Sequence, residues 1–185
     1  MGFNIAGLVI NHNFKKDIPT LANALNWKLK IAETVTFAEA SKNWLTDHIN
    51  VYFGEKGTLI FFPHEWAMNK YHVKGHDSLC FAYSEETMAF LLSHMDANDN
   101  YRSFIEMEGK RNLEEGIELE MESTIEDASE LIMVMIDKTL GENWQEVIPQ
   151  THCSRCIRLG FKTDDIEARH NQPESIKRRW WEFWK

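Results

Sequence analysis

The sequence predicts an α+β fold: a mostly antiparallel β-sheet of about six strands with two to three helices packed on one face. Three observations lead there. Polar turns separate short apolar runs through the middle of the chain, as hairpins require. Strand–helix–strand alternation, which a parallel sheet needs, is scarce. Hydrophobic residues make up 43% of the 185 positions, including seven Trp and eleven Phe, so a substantial core is within reach. Residues 1–162 read as one domain, and 163–185 as a polar linker with a basic, Trp-rich tail.

Phe3–Ile10 is a short apolar run rich in branched residues and predicts a buried strand. Asp17 before Ile18-Pro19 predicts a helix start, because Asp caps free amides and Pro fits the first turn. Leu21, Leu25 and Leu29 continue that helix at helical spacing. Thr36-x-x-Glu39 has capping-box spacing and opens a second helix, with Phe37, Ala40 and Trp44 on one side. Ile49–Phe53 and Thr58–Phe62 flank Gly54-Glu55-Lys56-Gly57, a hairpin signal. Ser78–Tyr83, Thr87–Met95 and Tyr101–Glu108 are further strands, the last two joined by the turn-forming loop 96–100. In Gly116–Glu122, Ile117, Leu119 and Met121 alternate with Glu118, Glu120 and Glu122, the pattern of a half-buried strand with an acidic wet face. Thr124-x-x-Asp127 or Ser123-x-x-Glu126 caps a strong helix whose stripe runs from Ile125 to Leu140 and stops at Gly141. Trp144 and Val147 fold back onto the core. Thr151–Lys162 is one more strand.

The net charge is −9. Its distribution is uneven: residues 1–150 hold 12 Lys+Arg against 24 Asp+Glu, and residues 151–185 hold 8 against 5. A surplus of carboxylates is wrong for double-stranded nucleic acid, which is bound by cations that displace counterions. No signal peptide is recognisable and no apolar run approaches a membrane span, so a cytoplasmic setting with free thiols is expected. The patterns of dinucleotide, phosphate-loop and nucleophile-elbow sites are missing. No cofactor is expected.

Four groups of residues invite a functional reading. Cys153-x-x-Cys156 after His152 has the spacing of a redox pair or of two zinc ligands, against two ordinary thiols. His64, His72 and His76 lie near Glu65 and Asp77, a metal-ligand inventory without a compact motif, against solvent-facing histidines. Glu118, Glu120 and Glu122 head an acidic segment suited to docking a basic partner. The tail residues Arg178, Arg179, Trp180, Trp181 and Trp184 combine cations with aromatic rings. Such a tail suits its own acidic domain, a protein partner or self-association, a membrane interface, or single-stranded nucleic acid.

The opening GFNIAGLVIN, the run VYFGEKGTLIFF, the segment FAYSEETMAF and the late TLGENW together resemble small uncharacterised bacterial proteins of a domain-of-unknown-function type. The resemblance covers about Met1 to Val147. It implies a cytoplasmic bacterial accessory protein and assigns no catalytic or ligand residue. The functional expectation is therefore a non-enzymatic protein-interaction module with an acidic surface, comparable to immunity or inhibitor proteins that neutralise a basic partner. The alternatives are a thiol redox or metal-binding protein using Cys153 and Cys156, and peripheral membrane association through the tail.

Overall fold

The computed structural model describes residues 4–42, 48–146 and 151–158. Among these residues the strands are β1 (Asn4–Ile10), β2 (Leu29–Thr36), β3 (His48–Phe53), β4 (Thr58–Phe61), β5 (Ser78–Ser84), β6 (Ala89–Met95), β7 (Tyr101–Met107), β8 (Lys110–Gly116) and β9 (His152–Arg158). The helices are α1 (Ile18–Ala24), α2 (Phe37–Ala40), α3 (His64–Ala67) and α4 (Ala128–Leu140). All nine strands join one sheet in the order β2-β9-β3-β4-β1-β5-β6-β7-β8. Every neighbouring pair is antiparallel. The α+β class and the antiparallel sheet are as the sequence predicts. The sheet is larger than the expected six strands.

The expected placement of the helices on one face is corrected: the structure uses both. The central strands are apolar on both sides, so each side needs a cover. In β1, Ile5 and Val9 face a core shared with α2, α4 and Trp144, while Ala6, Leu8 and Ile10 face one shared with α1, α3, Trp27 and Tyr71. Gly7, between Ile5 and Val9 on the same face, lies where the neighbouring strands leave no room for a side chain. A Cβ there would lie 2.5 Å from the Ile60 carbonyl oxygen and 3.1 Å from the Phe81 ring.

The caps form where side-chain chemistry demands them. Asp17 accepts the Thr20 amide and Thr36 accepts the Glu39 amide. For α4 the cap is Asp127 itself, which accepts the amides of Ser129 and Glu130. Gly141 ends α4 with φ of 76°, in the left-handed region that favours glycine. The buried Trp144 is fixed by its amide, which donates to Asp137.

Three elements differ from expectation. Leu29 does not extend α1, which stops at Ala24; it opens the edge strand β2. The last strand pairs with both β2 and β3, inserting between them. The acidic run after Gly116 is no strand: β8 precedes it, and Glu120–Ser123 is a single 3-10 turn. Trp44, Val147, Leu159, Phe161 and the tail lie outside the described residues.

Candidate interaction surface

The segment from Ile117 to Asp127 leaves β8, crosses the α4 face of the sheet beside β7, and enters α4. Leu119, Met121 and Ile125 press against the core beneath it. Its anchor is Glu122, whose side chain is only 5% exposed. The carboxylate accepts from Arg102 Nε at 2.8 Å and Nη2 at 2.6 Å, and from Arg111 Nη1 at 2.6 Å. The Leu119 amide donates to it as well, at 2.9 Å.

Arg102, 4% exposed, also donates to Glu114 at 2.7 Å. Both guanidinium groups lie over the Phe104 ring, Arg111 at 4.3 Å and Arg102 at 5.5 Å. Burial alone would raise the Glu122 carboxyl. The Arg102 hydrogen bonds, the Leu119 amide and both arginine charges hold it below the ordinary glutamate range.

This cluster separates the three glutamates predicted as one wet face. Glu122 points inward and is consumed by the fold. Glu118 and Glu120 are exposed. Glu126 and Glu130 are exposed beside them, and no Lys or Arg occurs between Arg111 and Lys138. Ile117, 67% exposed, sits at the head of the segment. The surface thus combines negative charge that has no ion-pair partner among the described residues with an apolar residue held in water, which is the composition of a contact patch.

The cysteine pair does not converge. An extended strand sends residues three apart to opposite faces, roughly 10 Å along the chain. Cys153 lies in the core on the α4 face and Cys156 in the core on the α1 face. A disulfide needs Cα atoms within roughly 7 Å and converging Cβ vectors. Burial pushes the Cys153 thiol up to about 12 and the Cys156 thiol up to about 11. Cys80 is buried too, its thiol pushed up to about 12. His152 is exposed at the start of β9. All three thiols are expected to be inert to a colourless disulfide reagent at pH 8 in the native protein and to react after unfolding. Two thiols titrating rapidly in the folded state would contradict this placement.

The histidines disperse as well. His64 opens α3 and is largely buried beside the backbone of Ile5 and Tyr83. His72 is held between Ser78 Oγ at 3.3 Å and Ser93 Oγ at 3.1 Å, edge-on to the Tyr101 ring. His76 stacks near His12, with ring centroids 4.8 Å apart. No group of three or more His, Cys, Asp or Glu side chains suited to a metal ion occurs among the described residues. Arg178, Arg179, Trp180, Trp181 and Trp184 lie outside those residues.

Sequence reasoning missed two arginines that gather carboxylates, one at this surface and one at the far end of the sheet. Arg102 is one. The other is Arg155, which donates to Asn50 at 3.0 Å, Glu33 at 2.8 Å and Glu39 at 3.1 Å. The available signal was a lone cation within a strand-like run, as in Tyr101–Met107, since a charge at an inward position demands partners. The chain matches no protein-family model, no curated protein and no solved structure.

Proposed function

We propose that this chain is a protein-interaction module that docks a basic, aromatic-bearing protein segment on the acidic surface formed by residues 117–126 and Glu130 in the first turn of α4. The supporting observation is that exposed Glu118, Glu120, Glu126 and Glu130 have no ion-pair partner among the described residues, while Glu114, Glu115 and Glu122 are engaged by Arg102, Lys70 and Arg111, and that Ile117 is exposed in the same segment. Charge left over after the fold has satisfied itself is available to steer a partner and set its orientation. Exposed ion pairs alone contribute little, about 0–1 kcal/mol each, so the apolar contact at Ile117 supplies the remainder.

A peptide of the sequence IKRRWWEFWK, found at residues 176–185, is a suitable probe of this chemistry. Its binding to the full chain is measured by fluorescence anisotropy at about 0.15 M salt, where only close charges still act. Reversing three exposed carboxylates together (Glu118→Lys, Glu120→Lys, Glu126→Lys) is expected to weaken binding by about 10-fold or more, a loss of about 1.4 kcal/mol. The reading fails if the reversed protein, folded as judged by its thermal transition, binds the peptide as well as the parent does.

A further inference from the structure

Strand β8 is one of the two sheet edges, and its outer side is free of any other described strand. Along its length, exposure is nearly continuous. Of the four large hydrophobic side chains exposed among the described residues, Leu113 (46%) lies in β8, and Ile117 (67%) follows it directly. A third, Met88 (50%), sits in the turn whose carbonyl accepts the Glu108 amide at the other end of the β7–β8 hairpin. Only Ile31 is elsewhere, on β2.

The charges of β8 are segregated. Its sequence, KRNLEEG, places two cations before the midpoint and two carboxylates after it. An antiparallel copy of the strand reverses that order, so the edge is electrostatically complementary to itself. With the two-fold axis between Asn112 and Leu113, Lys110 falls opposite Glu115 of the second copy and Arg111 opposite its Glu114. The side-chain faces agree with this register. Lys110 and Glu115 pair with Met107 and Ser103 of β7 and share one face of the sheet. Arg111 pairs with Glu106, and Glu114 bonds Arg102, which puts both on the α4 face.

Internal contacts leave acceptors and donors over. Glu114 and Glu115 are 44% and 58% exposed, and each uses only Oε2 internally, toward Arg102 and Lys70. Arg111 uses Nε and Nη1, leaving Nη2. The bulge falls at the axis. Leu113 has φ of 54° and the register shifts across Phe104, so the two charged halves flank the irregularity without containing it.

We infer that β8 is a self-association edge, through which two copies of the chain pair antiparallel about a two-fold axis at Asn112 and Leu113. A closed two-fold contact uses the same patch twice and stops at the dimer. Two seven-residue strands with Leu113 and Ile117 bury less than the ~1,200 Å² of a stable complex, so the dimer is concentration-dependent. This surface shares Ile117 with the acidic one above but takes a second copy of the chain, not a basic partner.

The test is sedimentation or light scattering of the full chain across roughly 5 µM to 1 mM at about 0.15 M salt, which screens the repulsion between two acidic proteins. The mass is expected to rise from 21.7 kDa toward twice that value. Leu113→Lys leaves every internal ion pair intact and adds a cation to each side of the axis. It is expected to raise the dissociation constant at least about 10-fold with an unchanged thermal midpoint. Amide exchange of residues 110–116 in the parent is expected to slow as concentration rises. A monomer at every concentration would overturn the inference, leaving the bulge and charges as devices that keep the edge unpaired. A dimer insensitive to Leu113→Lys, without added protection in β8, would overturn it equally.

Discussion

Glu122→Ala is expected to cost about 3–5 kcal/mol of folding stability, the range for removing one partner of a buried ion pair. The carboxylate takes four donors, from Arg102, Arg111 and the Leu119 amide. Without it, Arg102 keeps only Glu114, and Arg111 keeps only the longer 3.4 Å contact to Glu106. Each cation over Phe104 is then left with one carboxylate where it had two, at low exposure. The segment from Leu119 to Ile125 also loses its tether and exposes apolar surface beneath it. Glu122→Gln retains the shape and some acceptor capacity but loses the charge, so about 1–3 kcal/mol is expected. Urea unfolding at pH 7 measures both. A loss below about 1 kcal/mol for the alanine variant would show that the cluster is a surface feature without structural weight.

That cluster also explains what the sequence conceals. Gly116–Glu122 alternates as a half-buried strand should, yet forms a crossing segment with a 3-10 turn. Periodicity counts apolar side chains and is blind to an arginine buried on a neighbouring strand. Once Arg102 occupies an inward position on β7, some carboxylate must come in to it, and Glu122 does. The same blindness hid β8 and β2. Both are edge strands with little buried surface, so no apolar alternation marks them: in β2 only Val35 is buried. Leu29 merely happens to sit at helical spacing from Leu21 and Leu25.

By contrast, elements defined by local chemistry were legible. The Asp17 and Thr36 caps, the 54–57 hairpin turn and the Gly141 stop each depend on neighbours within a few residues. The continuous apolar run of β1 already announced burial on both faces. Its consequence, helices on both sides, could have been drawn from it. The exposed Glu118 and Glu120 were legible as surface, and the separation of Cys153 from Cys156 could have been drawn from the strand expected over Thr151–Lys162, since residues three apart in an extended strand face opposite ways.

Acidification from pH 6.5 to about 4 is expected to remove stability through His64 and His72, before most carboxylates protonate. Burial lowers both histidines to about 4 in the folded protein. For His72 the charges of His94 and Lys70 act in the same direction. In the unfolded chain each titrates near 6.5. Above that pH both states are neutral and nothing depends on pH. Between 6.5 and about 4 the unfolded state binds protons that the folded state refuses, so stability falls as pH falls. Below about 4 the penalty is complete, on the order of 3 kcal/mol per histidine. His76 and His94, also lowered by burial, add in the same sense. Glu122 and Asp127 have depressed folded values, so their contribution persists above the unfolded glutamate and aspartate range and is lost only in more acidic solution. Glu106 is raised by burial and opposes this slightly near its own range. Unfolding free energies at pH 7, 5.5 and 4.5 separate these contributions. A variant with His64→Gln and His72→Gln is expected to be less stable at pH 7, because the Ser78 and Ser93 contacts change. Its stability should nonetheless decline less steeply down to pH 4.5. Parallel pH profiles for parent and variant would mean that neither histidine is held neutral by the fold, and that the acid sensitivity arises from the carboxylates alone.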